Sequence, residues 1–186
     1  MRTFLETERL RLRPFTEEDA ESLLSLDGDP EVMRFINGGR PTSAEDLRTR
    51  ALPRLLHDYP CWGRRGYWAA EERSSGVFLG WFEFRPLAEE SAAEVELGYR
   101  LATAAWGRGF ATEGASTLVD RGFTEWGVAR VTAHTMVVNA RSRRVMEKVG
   151  LRLVRHSTED WPESIPGSEH GDVEYALTRE EWAARR

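Results

Sequence analysis

Residues 106–112 read WGRGFAT. Gly107, Gly109 and Ala111 sit at alternate positions around Arg108, and the run that follows, ATEGASTLVDRGFTEW at 111–126, carries helical spacing. Small residues let a turn bring several backbone N–H groups towards one point. A helix opening there adds its unpaired first N–H groups and the positive end of its dipole. Together these make a cradle for an anion, above all a phosphate or pyrophosphate. The plainer alternative is a tight strand-to-helix turn with no ligand. The stretch is not a Walker A loop, because GxxxxGK[ST] is absent, and it lacks the third glycine of the dinucleotide fingerprint.

Working outward, EVELGYRL at 94–101 alternates Val95, Leu97, Tyr99 and Leu101 on one face with Glu94, Glu96, Gly98 and Arg100 on the other. That is a strand, and Gly98 inside it predicts a bulge or a close approach by another backbone or a ligand. Downstream, 110–126 is a helix with Ala111, Ala115, Leu118, Val119, Gly122, Phe123 and Trp126 facing inward. ARVTAHTMV at 129–137 is a strand. NARSRRVMEKVG at 139–150 is a helix with Asn139 at its N-cap and Gly150 just past its end. LRLVRH at 151–156 and DVEYALTREEW at 172–182 give two strands and a short closing helix, with a loop over 157–171.

Upstream, RLRLRPF at 9–15 alternates with period two. Thr16 and Asp19 then resemble a capping box ahead of a helix with Ala20, Leu23, Leu24 and Leu26 inward. A second helix over 30–36 starts with Pro30, tolerated in a first turn. After the 37–43 loop, 43–59 reads as a helix disturbed by Pro53. YWAAEE at 67–72 and GVFLGWFEFRP at 76–86 form a hairpin around the turn signal RSSG. No repeat, low-complexity tract or linker divides the chain, so residues 1–186 are expected to be one domain. The strand–helix–strand order in the middle implies an α/β domain with a parallel or mixed sheet and helices on its faces.

Composition narrows the function. The 186 residues are 40% hydrophobic and 31% charged, with a net charge of −5. The acidic balance argues against a nucleic-acid partner. It suits a cationic substrate such as an amine, and plain solubility equally. No run of about 18 apolar residues predicts a membrane span, and MRTFLETERL at the start lacks a signal-peptide core. The single cysteine, Cys61, excludes an internal disulfide framework and a cysteine metal cluster, and fits a reducing, cytoplasmic setting.

The succession from EVELGYRL through WGRGFATEGASTLVDRGF and RVTAHTMVVNARSRRVMEKVG resembles the GNAT superfamily of acetyl-CoA-dependent N-acetyltransferases. More narrowly it resembles the RimJ/RimL-type ribosomal-protein alanine acetyltransferases. ETERLRLRPFTEED at 6–19, GYWAAEE at 66–72 and YALTREEW at 175–182 resemble that branch as well. The resemblance implies a mixed, mostly antiparallel sheet of about seven strands, helices on both faces, and a splay between the fourth and fifth strands. It implies acetyl-CoA as co-substrate, no metal, a primary amine (a protein N-terminus or a small molecule) as acceptor, and a homodimer as a frequent arrangement.

Residue by residue, the superfamily pattern Q/R-x-x-G-x-G/A falls on Trp106 to Ala111, with Gly109 and Ala111 matching and Trp106 in place of Gln or Arg. It implies that the backbone of Gly107, Arg108, Gly109, Phe110, Ala111 and Thr112 receives the pyrophosphate of coenzyme A. Main-chain groups of Tyr99, Arg100 and Leu101 would meet the pantetheine arm. Asn139 and Ser142 match the branch's Asn and Ser, and the resemblance implies that both contact the cofactor, Asn139 at the pantetheine region; Asn139 also reads as a plain N-cap, and both can hold. Seven residues after Asn139, where many members carry a proton-donating tyrosine, stands Met146, which donates no proton. Ser142, or a water it holds, is the expected substitute. Met146 also keeps open a non-catalytic coenzyme A-binding module.

For the base, Glu96 is the first expectation, two residues before Gly98 on the same strand face. Glu94, Glu83 and His134 are the alternatives, with solvated strand faces as the plain reading of each Glu and a hydrogen-bonded core histidine that of His134. The aromatic residues Tyr59, Trp62, Tyr67, Trp68, Trp81 and Phe82 read mainly as core and secondarily as an acceptor pocket. Arg141–Arg144 reads as a 3′-phosphate contact or a solvated helix face, and His57, His156 and His170 as surface residues.

Overall fold

The computed structural model describes residues 3–158 and 164–185. The element order is β1 (Leu5–Glu6), β2 (Leu10–Pro14), α1 (Ala20–Asp27), α2 (Pro30–Asn37), α3 (Ala44–Asp46), α4 (Leu52–Leu55), β3 (Asp58–Tyr59), β4 (Arg64–Arg65), β5 (Tyr67–Glu72), β6 (Phe78–Ala88), β7 (Ser91–Leu101), α5 (Phe110–Glu125), β8 (Arg130–Met136), α6 (Ala140–Val149), β9 (Arg152–Ser157), β10 (Asp172–Thr178) and α7 (Arg179–Ala183). An eight-stranded sheet runs β1-β2-β5-β6-β7-β8-β10-β9. Every neighbouring pair in it is antiparallel except β7–β8. The expected architecture holds, with one short strand, β1, more than the seven predicted.

The parallel pair is brief. β7 and β8 are in register only at Glu94–Arg130, Val95–Val131 and Glu96–Thr132. Beyond Glu96 both strands continue, β7 to Leu101 and β8 to Met136, without pairing to each other. The splay therefore falls where it was expected, between the fourth and fifth of the predicted strands. A bulge at Gly98, however, is not its cause. The β6–β7 register passes Gly98 opposite Glu83 without a shift. The glycine makes room instead: a Cβ there would lie 2.6 Å from Glu83 Oε2.

The sheet separates two cores. One face carries Leu10, Leu12, Trp68, Phe82, Phe84, Val95, Leu97, Val131 and Tyr175 against α5 and α6, with Leu118, Val119, Phe123 and Met146 buried among them. The other packs Tyr67, Ala69 and Trp81 against Leu23, Leu26, Val32, Met33, Leu47, Leu52 and Leu55 from the α1–α4 region. Burial of each of the Leu, Val, Phe and Met side chains contributes about 1.5–3 kcal/mol. Gly114 and Gly122, on the buried side of α5, sit directly over the Phe82 and Phe84 rings of β6; a Cβ at Gly122 would come within 2.6 Å of Phe84. The aromatic residues Tyr59, Tyr67, Trp68, Trp81 and Phe82 are all buried, as core residues should be.

Several local readings hold and a few change. Pro30 opens α2, Asn139 caps α6 and Gly150 ends it in the left-handed conformation. Thr16 and Asp19 form the reciprocal capping box, but around a single 3-10 turn ahead of α1. The helix predicted over 43–59 ends at Leu55 and contains a π-helical stretch at Leu47–Ala51. The chain then turns into the small β3–β4 pair, Asp58 to Arg65 and Tyr59 to Arg64, which the pattern did not suggest. Part of the 157–171 loop, residues 159–163, lies outside the described residues.

Candidate active site

Leu101 ends β7, and a 3-10 turn at Thr103–Ala105 leads into the quoted stretch. Gly107 and Gly109 have φ of +73° and +82°, left-handed values that glycine adopts freely and L side chains resist. The Glu113 N–H donates to the Gly109 carbonyl at 3.0 Å, closing the first turn of α5. The N–H groups of Gly109, Phe110, Ala111 and Thr112 precede that bond and have no carbonyl one helical turn behind them. No heavy atom lies within 4 Å of where a Gly107 Cβ would stand, so the turn is open on that side.

Neighbours brace the turn from behind. The Trp106 indole N–H donates to the Leu101 carbonyl at 2.8 Å. Arg9 donates to the Arg108 carbonyl at 2.8 Å and pairs with Glu113 at 2.7 Å, and Thr7 donates to Glu113 at 2.5 Å. The Arg108 side chain is engaged with Glu72 at 2.8 Å. The guanidinium of Arg141, at the start of α6, lies 5.0 Å from the Trp106 ring centre. Arg141 has no ion pair among the described residues, so it is Arg141 that brings an uncommitted positive charge beside the turn.

On the helix-packed side of the gap, the Tyr99 hydroxyl donates to the Ser142 carbonyl at 3.0 Å and lies 3.1 Å from Ser142 Oγ. Burial, partly offset by the Ser142 bond, pushes the Tyr99 phenol up to about 12. Asn139 Oδ1 accepts from the Ser142 N–H at 3.3 Å and its Nδ2 donates to Thr135 at 3.0 Å, so its side chain ties the N-cap of α6 to β8. Met146 is buried in the core. The Arg100 side chain points to the opposite face, where it pairs with Asp27 at 2.7 Å and lies over the Trp81 ring.

That opposite face carries the charged cluster. Tyr67, Glu83, Arg85, Glu96, His134 and Glu174 come from five adjacent strands and share one side by register. Tyr67 donates to Glu83 Oε1 at 2.8 Å, and Arg85 Nε donates to the same oxygen at 2.5 Å. The other end of the Arg85 guanidinium makes a very short bond to Glu96 Oε2. Glu96 Oε1 faces His134 Nδ1 at 3.3 Å, and His134 Nε2 lies 3.8 Å from Glu174. Arg130 holds Glu174 at 3.1 Å and Glu94 at 3.3 Å.

The proton affinities in this row diverge. Burial, reinforced by the Glu96 charge, pushes Glu83 above the ordinary carboxylate range, with Arg85 and Tyr67 opposing. Burial also works to raise Glu96, but the His134 bond and the Arg85 charge prevail and hold it below its usual value. The Glu96 bond raises His134, with burial opposing. His134 is hydrogen-bonded, as expected, but it is 41% exposed on an open sheet face. A core histidine is therefore the wrong description: it occupies the outer side of β8, where charges rather than apolar side chains surround it. His57, read as a solitary surface residue, pairs with Glu89 at 3.0 Å. No group of three or more His, Cys, Asp or Glu side chains placed to hold a metal ion occurs among the described residues.

The main-chain turn and the charged row thus flank the same opening between β7 and β8. A family model described as an acetyltransferase (GNAT) domain matches residues 9–152. The chain is 35% identical over 184 residues to an FsC-acetyl coenzyme A-N(2)-transacetylase of Aspergillus fumigatus, covering 96% of this chain and 77% of that protein. Among solved structures, a GNAT-family acetyltransferase from Bacillus anthracis superposes with a TM-score of 0.77 at 24% identity, covering 96% of this chain and 99% of that one. The RimL ribosomal alpha-N-protein acetyltransferase in complex with coenzyme A superposes with a TM-score of 0.77 at 17% identity, covering 94% and 97%. At such identities the structural matches speak for the fold, and the narrower RimJ/RimL likeness goes no further than that.

Proposed function

Since the chain belongs to the GNAT acetyltransferases and is an acetyl-CoA-dependent N-acetyltransferase, we propose that it acetylates the primary amine of a small molecule. One observation carries the reading. The open turn at 106–112 and the charged row Glu83–Arg85–Glu96–His134 stand on either side of a gap that begins where β7 and β8 cease to pair. A thioester seated in that gap meets an amine arriving over the charged face. The small-molecule acceptor draws support from the Aspergillus relative, whose name specifies N(2) transacetylation of FsC, at 35% identity over nearly the whole of this chain.

In this reading the N–H groups of Gly107 to Thr112 hold the pyrophosphate, helped by the dipole of α5. Arg141 adds charge for a phosphate, and Arg108, already paired to Glu72, adds little. The unpaired β7 edge at Tyr99–Leu101 offers main-chain groups to the pantetheine arm, as an added strand would. A backbone N–H of this strand near Gly98 steadies the oxyanion. The amine nitrogen forms its bond to the acetyl carbon, the carbon–sulfur bond breaks, and the proton lost from nitrogen balances the one gained by sulfur. Ser142, with Tyr99 hydrogen-bonded behind it, delivers that proton in place of the tyrosine absent at Met146.

Asn139 acts here by capping α6 and holding Ser142 in place. The test is turnover of labelled acetyl-CoA against two panels, small-molecule amines and N-terminal peptides. Acetylation confined to the first panel supports the reading; acetylation confined to peptides overturns the choice of acceptor, and none in either panel overturns the amine acceptor itself.

A further inference from the structure

Resting on the reading above, we propose that Glu83, through its Oε2 atom, is the base that takes the proton from the incoming amine, and that Glu96 is a positioning residue fixed on Arg85 and His134. The two carboxylates differ in what their oxygens already do. Glu96 spends Oε2 on Arg85 and Oε1 on His134. Glu83 concentrates its bonds on one oxygen: Tyr67 and Arg85 both donate to Oε1. Oε2 accepts no hydrogen bond among the described residues. It is aimed at Gly98, where the glycine's missing side chain leaves it space, 2.6 Å from the point a Cβ would occupy.

Gly98 lies two residues past the last β7–β8 pair, so Oε2 stands over the mouth of the gap. A base must have a lone pair facing the reacting nitrogen, directly or through one water, about 2.6–3.2 Å from its partner. Glu83 Oε2 keeps both of its lone pairs for that role, whereas each oxygen of Glu96 already accepts one bond. Tyr67 and Arg85 hold the Glu83 carboxylate from β5 and β6. Glu96 from β7 and His134 from β8 complete the row, with Arg54 of α4 over the Tyr67 ring at 5.3 Å and the buried Tyr59 nearby. Glu83 is also the carboxylate whose proton affinity its surroundings raise, while that of Glu96 is lowered. The step balances simply. The ammonium of the acceptor gives one proton to Glu83 Oε2 and the free amine attacks; the second proton leaves the nitrogen as the carbon–sulfur bond breaks and is matched by the one the thiolate gains through Ser142, and Glu83 returns its own proton to solvent before the next cycle.

The experiment is the pH dependence of kcat/KM for wild type, Glu83→Gln and Glu96→Gln, with the amine that the acceptor panel identifies. Glu83→Gln is expected to lower kcat by roughly 100-fold or more and to abolish the acid limb of the profile, while acetyl-CoA still binds with its wild-type Kd. Glu96→Gln is expected to keep an acid limb, shifted, with a loss of no more than about tenfold. Should Glu83→Gln fail to fold, by circular dichroism and acetyl-CoA binding, Glu83→Asp serves: it retracts the oxygen by one methylene and is expected to lower kcat while leaving the KM for acetyl-CoA unchanged. Wild-type kcat and an intact acid limb in either Glu83 variant, or a limb lost in Glu96→Gln instead, overturns the assignment. Those results leave wild-type turnover intact, so they are distinct from a failure of the amine-acetyltransferase reading, in which the wild type itself acetylates nothing.

Discussion

The two sides of the β7–β8 gap are built from different material. On the proposed cofactor side the groups on offer are backbone N–H donors of the six consecutive residues Gly107 to Thr112, in a turn shaped by two left-handed glycines. On the proposed acceptor side they are side chains, gathered from β5, β6, β7, β8 and β10 across more than a hundred residues of sequence. A main-chain site depends on conformation, so few residue types satisfy it and the pattern is short and contiguous. A side-chain site depends on strand register, and any local window of sequence holds only one of its members.

The contrast can be broken most sharply at Gly109. Placing a β-branched side chain at φ +82° strains the turn by about 1–3 kcal/mol or redirects its N–H groups. Gly109→Val is therefore expected to raise the KM for acetyl-CoA about 10- to 100-fold and to leave the KM for the amine unchanged, read from initial rates with each substrate varied in turn. An equal rise in both would mean that the two sides are not separable.

On the acceptor side, Glu96→Gln tests the row of charges through stability. His134 is raised in the folded state, so its share of stability is full below its unfolded pKa and is lost as pH rises through the folded one. Glu96 is lowered, so its share is present above its unfolded pKa and lost as pH falls through the folded one. The pair thus works in the window from about pH 4.5 up to the raised His134 value, above pH 6.5. Urea midpoints should separate wild type from Glu96→Gln by about 1 kcal/mol at pH 6, with the difference narrowing at pH 8.5 as the His134 share disappears. The His134 ring should titrate at lower pH in the variant, as followed by NMR.

Smaller effects sharpen the picture. Trp106→Phe removes the indole bond to the Leu101 carbonyl. It is expected to cost about 1 kcal/mol, a roughly fivefold rise in the KM for acetyl-CoA with kcat kept. Arg141→Gln should raise the same KM about two- to threefold at low salt, and the effect should vanish by 0.5 M NaCl because an exposed charge is screened. Arg108→Gln should do less than Arg141→Gln, since Glu72 already occupies Arg108.

This division explains what could be read from the sequence. The turn, the N-cap at Asn139, the ends of α6 and the order of strands are local conformational facts with local signatures, and they stand as expected. Glu96 was the natural first candidate because it lies two residues from Gly98 along one strand. Glu83 is as close to Gly98 across the sheet, but only the β6–β7 register places it there. The hairpin reaches Ala88 and resumes at Ser91, beyond the Pro86 and Glu94 limits its pattern suggested, so that register was hidden. Gly98 itself was legible as an anomaly and its meaning was not: the glycine accommodates a carboxylate rather than a kink. The β3–β4 pair has two residues per strand, too few for any periodicity to show.

Phe82 and Phe84 flank Glu83 in the chain, and their rings are the surfaces on which Gly114 and Gly122 of α5 rest. One strand therefore acts as a gauge block. Its two rings set how deep the helix lies, and hence where the helix's first turn ends, while the residue between them faces the other way with its carboxylate. The spacing between the turn proposed to hold the cofactor and the carboxylate proposed to face the amine is machined into three consecutive residues, and a bulkier residue at Gly114 would alter that dimension before it altered either part.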